Sequence, residues 1–165
     1  MTTVDSDMSS VSGAPDPMGS GPGFVHLRVH SALSLLEGAL PIKKLLDLAK
    51  ADEQPALAIA DTNNLFGAQE FSSKAWGAGI QPITACQLSV FFDDGLDSGR
   101  RGEPALADLV LIAMTEIGYG NLMELTSRAF LDTETGLRPH VSISYLLQKA
   151  QDVIVLTGGS LGAIG

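Results

Sequence analysis

Two histidines flank an arginine in the stretch from Phe24 to Ser34, FVHLRVHSALS, and imidazole nitrogens are frequent metal ligands. Apolar and polar residues alternate through it, which predicts a short strand. Alternate side chains of a strand share a face, so His26, Arg28 and His30 are expected to point the same way. Nitrogen-bearing side chains at the C-terminal end of a strand are typical of the metal-binding mouth of an α/β barrel. Arg28, however, stands where a second imidazole ligand would be needed.

The elements that would position these residues alternate between strands and helices. Short apolar runs bounded by Pro, Gly or Asp predict buried strands, and apolar residues at helical spacing predict helices between them. The pattern predicts an α/β domain with largely parallel strands. The predicted elements after the first strand are a helix opened by Pro41, strand Ala56–Ala60, helix Phe66–Ala78, strands Ile80–Thr84, Leu88–Phe92 and Leu106–Met114, helix Leu122–Phe130, a short helix capped by Ser142 or Ser144, and strand Val153–Leu156.

Composition divides the 165-residue chain into two parts. Residues 1–23 hold four Gly, three Pro and five Ser but no Lys, Arg or aromatic residue, which predicts a disordered tail. Residues 24–165 are long enough for one domain with a core. The sequence stops at Gly165 after a predicted strand and before the helix expected to cover it. We therefore expect a partial domain, truncated at its C-terminal end.

Charge and cysteine content limit the function classes. The net charge is −9, from 10 Lys and Arg against 19 Asp and Glu, so this segment is not expected to hold DNA phosphates. No apolar run reaches the roughly 20 residues that a membrane span needs. Because Cys86 is the single cysteine, the chain has no disulfide framework, and a reducing cytoplasm is the expected location. The more frequent role for such a cysteine is that of a small buried hydrophobic residue.

Five ordered stretches resemble the PHP (polymerase and histidinol phosphatase) domain found at the N-terminus of bacterial replicative DNA polymerase III alpha subunits. They are FVHLRVHSALSLLEGA, PALAIADTNNLFGAQEF, GAGIQPITACQLSVFF, DLVLIAMTEIGYGNLMELTSRAFL and VIVLTGGSLGAIG, and they span essentially residues 24–165. The resemblance implies a distorted (β/α)7 barrel, of which this chain would hold about the first half. Metal-competent members of the family carry a trinuclear cluster that activates water against a phosphoester.

The sequence departs from that metal-binding pattern at four places. Arg28 stands at the first position of the family's His-x-His, and His30 keeps the second. Thr62 replaces the His of the Asp-His-Gly-Asn loop, where Asp61 and Asn64 persist. Gln87 stands at the expected glutamate, and Asp108 at the His before the Leu-Val-Leu strand.

These substitutions predict a pocket without metal. Arginine has a permanent positive charge and no lone pair for a cation, and Thr and Gln are weak neutral donors. We expect the guanidinium to fill the vacated space and pair with Asp61 or Asp108. The degenerate pocket would then consist of Arg28, His30, Asp61, Thr62, Gln87 and Asp108, with no catalytic residue.

Several single residues have both a functional and an ordinary interpretation. His30 could be a metal ligand, but a hydrogen-bonded pocket histidine is the more frequent role. Asp61 could be a catalytic base, but beside Arg28 it is more often half of an ion pair. His26 is expected to be structural or half exposed, and His140 to lie at the surface. Trp76 is more often a core or interface residue than a platform for base stacking.

The resemblance implies a segment of a DNA polymerase, a nucleotidyltransferase. This chain lacks the paired catalytic aspartates of that reaction, so Mg²⁺ and DNA would be bound by other domains of the parent. The segment would be a metal-free structural module that docks the proofreading exonuclease and meets other replicase subunits. One alternative is a free-standing metal-dependent PHP phosphoesterase. Another is a gene fragment without independent function, whose unpaired sheet edges would favour aggregation.

Overall fold

The computed structural model describes residues 23–92 and 106–157. The predicted tail (except Gly23), the segment 93–105 and residues 158–165 lie outside the described residues. The elements are α1 (Ile42–Ala51), β1 (Ala56–Thr62), α2 (Ala68–Ala78), β2 (Gln81–Phe91), β3 (Leu106–Ala113), α3 (Glu116–Leu131), β4 (Val141–Ser142), α4 (Ile143–Gln148) and β5 (Val153–Leu156).

One mixed sheet organises the described residues. Its strand order is β1-β2-β3-β5, and β4 pairs with the end of β2. β1 and β4 run parallel to β2, whereas β3 is antiparallel to both β2 and β5. Four of these strands therefore share one direction and β3 alone is reversed, so the expectation of largely parallel strands needs this one correction.

The two faces of the sheet differ in what covers them. Side chains alternate along each strand, so Leu57 and Ile59 of β1 pack against α1 and α2, while Leu88 and Leu111 pack beneath α3 and α4. The opposite face carries a smaller apolar cluster, which comprises Ala60, Ala85, Val110 and Ile112. We call this second face the inner face.

Helix boundaries follow local capping chemistry. Gly79, with φ 76°, ends α2 in the left-handed conformation, and the Ser142 hydroxyl caps α4 as predicted, accepting from the Tyr145 N–H. The Thr115 hydroxyl caps α3 by accepting from the Gly118 N–H. As a result α3 begins at Glu116, six residues before the predicted start. Two glycines concealed this helical turn, and one of them, Gly118, is needed because a Cβ there would lie 2.1 Å from the Asp152 carbonyl oxygen.

The predicted first strand, from Phe24 to Ser34, is not a strand. Its backbone lies beside β1 but makes only two backbone-to-backbone hydrogen bonds with it, from Ala58 N–H to His26 O and from Ala60 N–H to Val29 O. Two residues of β1 therefore face three residues of this segment, and the extra residue breaks the alternation after His26. A regular two-residue period in sequence did not reveal this irregular pairing.

In the described part of the chain, no helix has the length and apolar content needed to cross a membrane.

Candidate functional site

The strand register brings polar side chains together on the inner face. Thr62 of β1 is paired with Gln87 of β2, and Ser89 of β2 is paired with Asp108 of β3. These four lie beyond the small apolar cluster of the inner face, near the C-terminal end of β1. The sheet thus presents an apolar end and a polar end on one face, and the polar end is the candidate site.

Arg28, Gln87, Thr62 and Glu37 form a continuous hydrogen-bond chain at this polar end. Arg28 Nε donates to Gln87 Oε1 at 2.8 Å, and Gln87 Nε2 donates to Thr62 Oγ1 at 3.4 Å. The Thr62 hydroxyl in turn donates to the Glu37 carboxylate. Three of the four residues that depart from the ligand pattern implied by the family resemblance are therefore linked one after another by hydrogen bonds: Arg28, Gln87 and Thr62.

His30 extends the chain into the loop formed by residues 31–38. Its Nδ1 lies 3.7 Å from Glu37 Oε2 and 3.4 Å from the Ser34 hydroxyl. His30 is therefore a hydrogen-bonded pocket histidine in this arrangement. Arg28 and His30 join one polar network, as their predicted common face implied, but His26 does not.

Asp61 is the buried anchor of the same loop. Its side chain accepts from the Ser31 N–H at 2.7 Å, the Ser31 hydroxyl at 2.8 Å and the Ser34 hydroxyl at 2.6 Å. The residue is 2% exposed. The predicted ion pair between Arg28 and Asp61 is wrong, because three uncharged donors from the loop satisfy this carboxylate instead.

Asp108 is likewise bound to a residue other than Arg28. Both of its oxygens accept from Arg138 Nη2, at 2.9 and 3.0 Å, and the Ser89 hydroxyl donates to it at 2.9 Å. The predicted alternative pair between Arg28 and Asp108 is therefore also wrong. The arginine that neutralises Asp108 comes from the segment before β4.

The other two histidines lie away from this network. His26 lines a cleft with Leu45 and Gln54 beside α1, since the irregular pairing turns it away from Arg28. His140 is half-buried rather than a free surface residue. Its ring Nδ1 lies 2.8 Å from the Arg138 carbonyl oxygen, and its backbone N–H donates to Thr133 Oγ1.

The two other residues singled out from the sequence differ in burial. Trp76 is 66% exposed, so a core role is excluded and an interface role stays open. Cys86 is fully buried as predicted, its thiol donates to the Asp61 carbonyl oxygen, and burial raises its pKa to about 12.

Sequence reasoning missed five residues of the network. Glu37 stands before Gly38 in sequence, which is typical of an ordinary turn acid, although its carboxylate joins Thr62 to His30. Ser31 and Ser34 carried a usable signal, because serines three apart at the end of a predicted strand often bond local polar groups. Ser89 and Arg138 carried none, since only the fold brings them to Asp108.

The sequence model of the PHP domain family matches residues 26–165. The chain belongs to the PHP domain family. The match covers every described helix and strand.

Curated relatives of this PHP domain are similar in sequence over nearly its whole length. The chain is 43% identical over 145 residues to the DNA polymerase III subunit alpha of Caulobacter vibrioides, which covers 87% of the chain and 12% of that protein. It is 39% identical over 150 residues to the same subunit of Thermus aquaticus, again covering 12% of the relative. The chain thus spans about one eighth of the length of these relatives.

A solved structure with a related backbone is an amidohydrolase from Chromobacterium violaceum. It has a TM-score of 0.45 and 22% sequence identity, and the match covers 63% of this chain and 34% of that one.

The described residues of this PHP domain do not fit the metal cluster that the family resemblance implies. Over residues 23–92 and 106–157, His, Cys, Asp and Glu side chains form no group of three or more that could hold a metal ion. The Asp61 oxygens are occupied by serine donors, and a guanidinium lies against Gln87. Arg28 adds a permanent positive charge to this network and has no lone pair for a metal ion.

Proposed function

We propose that this PHP domain is the N-terminal segment of the alpha subunit of a cytoplasmic replicative DNA polymerase. The observation that carries this is the 43% identity to a DNA polymerase III alpha subunit over 87% of the chain. The parent polypeptide would extend DNA from deoxynucleoside triphosphates with Mg²⁺ at a site outside this segment. The chain's charge of −9 supports assigning the DNA contacts to other parts of the parent as well.

Within that parent, the segment acts as a metal-free structural module. The hydrogen-bond chain from Arg28 to Glu37 supports this role, because it joins the N-terminal segment, β1, β2 and the loop of residues 31–38 without a metal. The buried Asp61 fastens the same loop from its other side. A network of satisfied polar groups can stabilise a strand end that other PHP domains organise around ions.

The segment also docks the proofreading exonuclease among the other replicase subunits. This part of the proposal comes from the resemblance to alpha subunits with similarly altered metal positions. A pull-down with the complete alpha subunit and its exonuclease tests it, and absence of association would remove the docking role.

Metal analysis of the purified full-length protein tests the metal-free role. We expect less than one tenth of an equivalent of Zn or Mn per chain after exposure to either ion and desalting. Stoichiometric metal would overturn it. Hydrolysis of a simple phosphomonoester with added Mn²⁺ by the same preparation would favour the alternative, a metal-dependent phosphoesterase.

Primer extension by the full-length protein tests the parentage separately. We expect template-directed DNA synthesis that needs Mg²⁺. A folded full-length protein without synthesis would contradict the assignment, whatever its metal content.

A further inference from the structure

Residues 133–140 form a loop between α3 and β4 that is closed at its base. The Thr133 hydroxyl accepts from the His140 backbone N–H at 3.1 Å and donates to the His140 carbonyl oxygen at 3.3 Å. Gly136, with φ 95°, supplies the left-handed turn near its tip. The two ends of the loop are therefore fixed to each other, and the loop can move as one unit.

Two contacts hold this loop to the polar end of the inner face. Arg138 Nη2 donates to both Asp108 oxygens, at 2.9 and 3.0 Å, and the Asn63 side-chain amide donates to the Pro139 carbonyl oxygen at 3.2 Å. The Ser89 hydroxyl donates to the same Asp108 at 2.9 Å and lies 3.5 Å from the same Asn63 amide. The loop is thus bonded to both side chains that contact the Ser89 hydroxyl.

Ser89 is fully buried, although it lies on the inner face, whose apolar cluster is built from strand residues alone. Asn63 is also buried, and Asp108 is 26% exposed at the side chain. Cover at this end of the sheet therefore has to come from the segments bonded to these residues. The loop of residues 133–140 is one of them.

The loop is held by polar contacts, since none of residues 133–140 is buried. The Arg138 side chain is 44% exposed. Lifting such a loop exposes little apolar surface, and the groups beneath it are polar and can bind water instead. Its closed position therefore depends mainly on the ion pair between Arg138 and Asp108.

We propose that residues 133–140 form a strap over Ser89 that opens as a unit, and that the ion pair between Arg138 and Asp108 holds it closed. In the open state the Ser89 hydroxyl and the Asp108 carboxylate are accessible from solvent, while β1, β2 and β3 stay paired. This conformational device goes beyond the proposed function and does not depend on it.

Thiol labelling of the full-length protein tests the strap. Ser89→Cys places a thiol beneath it, and the native Cys86 is the internal reference, because it is fully buried on the same strand but points to the opposite face. The ratio of maleimide modification at position 89 to that at Cys86, quantified by peptide mass spectrometry, should rise at least about fivefold when Arg138→Gln is added. A smaller rise would overturn the proposal. An equal rise at both positions leaves the ratio unchanged and would overturn it too, since the whole sheet would then be opening.

Arg128→Gln is the matched control. The Arg128 side chain is 51% exposed, close to the 44% of Arg138, and its ion pair with Asp132 lies at the end of α3, just before the strap. This substitution should leave the labelling ratio within about twofold of the value in the Ser89→Cys protein. A rise as large as that caused by Arg138→Gln would contradict the specific role of the Asp108 contact.

Hydrogen exchange gives a second measurement without the introduced thiol. The Ser89 backbone N–H donates to Asn63 Oδ1 at 3.1 Å, so its protection depends on the residue that also holds Pro139. We expect this amide to exchange at least about fivefold faster in Arg138→Gln than in the wild-type protein, while the amides of α1, which packs on the other face of the sheet, keep their rates. Unchanged exchange at Ser89 would overturn the strap whatever the labelling ratio.

Discussion

Arg28 Nε lies 2.8 Å from Gln87 Oε1, so two residues at positions where the family resemblance implies metal ligands bind each other directly. They are separated by 59 residues in sequence and come from the N-terminal segment and β2. An arginine has no lone pair to offer a cation, and its positive charge repels one. A glutamine opposite it supplies a neutral acceptor, and its amide nitrogen continues the chain to Thr62. The substitutions are therefore parts of one alternative network.

A double-mutant cycle on this pair should reveal their coupling. Gln87 is buried, so Gln87→Glu places a carboxylate that Arg28 can neutralise. We expect Gln87→Glu to be tolerated with Arg28 present but to destabilise the Arg28→Ala variant by about 1–3 kcal/mol more, because the new charge is then buried without a partner. Urea unfolding of the four proteins measures the difference. Additive effects would contradict the direct contact.

Asp61→Asn should be strongly destabilising. Both oxygens of the carboxylate accept hydrogen bonds in a buried site, from three donors in all. In asparagine an NH2 group replaces one of these oxygens, so at least one donor would face another donor. We expect a loss of about 2 kcal/mol in the free energy of unfolding. Asp132→Asn is the matched control, since Asp132 is exposed and its one ion pair, to Arg128 at 3.4 Å, is a long surface contact. This substitution should change stability by less than about 0.5 kcal/mol. Equal effects would show that the serine bonds to Asp61 contribute little.

The sequence predicted the order of most helices and strands because apolar runs and caps are local signals. Ser142 marked the start of α4, and the buried run Ala56–Ala60 marked β1. Partner choice within the site depended on distant segments. Nothing near Asp108 indicated that Arg138, and not Arg28, would bind it, and one extra residue in the pairing of His26 and Val29 with β1 was enough to separate His26 from Arg28.

The Cys86 thiol should make stability depend on pH under alkaline conditions. Burial raises its pKa from the ordinary value of 9.0 to about 12, so the folded protein keeps the proton while the unfolded chain loses it above pH 9. The free energy of unfolding should therefore fall as pH rises from 9 toward 12, by up to about 1.4 kcal/mol per pH unit from this group. The difference in slope between wild type and Cys86→Ala isolates the contribution. Identical slopes would contradict the raised pKa.

Glu124 connects α3 to α4 and should make that contact sensitive to acid. Hydrogen bonds from Lys149 and Tyr145 lower the pKa of this carboxyl. A lowered carboxyl pKa means that its stabilising effect is present above its ordinary value of 4.5 and is lost as pH falls through the folded-state value below it. The Glu124 side chain is 42% exposed, so solvent screens the contact, and the effect should be smaller than that of Asp61→Asn and weaker in high salt. NMR titration of Glu124 in wild type and in Lys149→Met checks it, and an unchanged pKa in the variant would contradict the assigned cause.

Gly38→Ala should loosen the loop of residues 31–38. A Cβ at this position would lie 1.8 Å from the Ser31 carbonyl oxygen, and that backbone atom cannot move without disturbing the bond from Ser31 N–H to Asp61. We expect a loss of about 2 kcal/mol or more in the free energy of unfolding. Gly77→Ala is the control, because a Cβ there meets nothing within 4 Å and α2 should gain about 0.5–1 kcal/mol from losing a helical glycine. The two alanine variants should thus shift urea midpoints in opposite directions. A Gly38→Ala protein as stable as wild type would mean that the loop closes less tightly around Ser31 than the geometry requires.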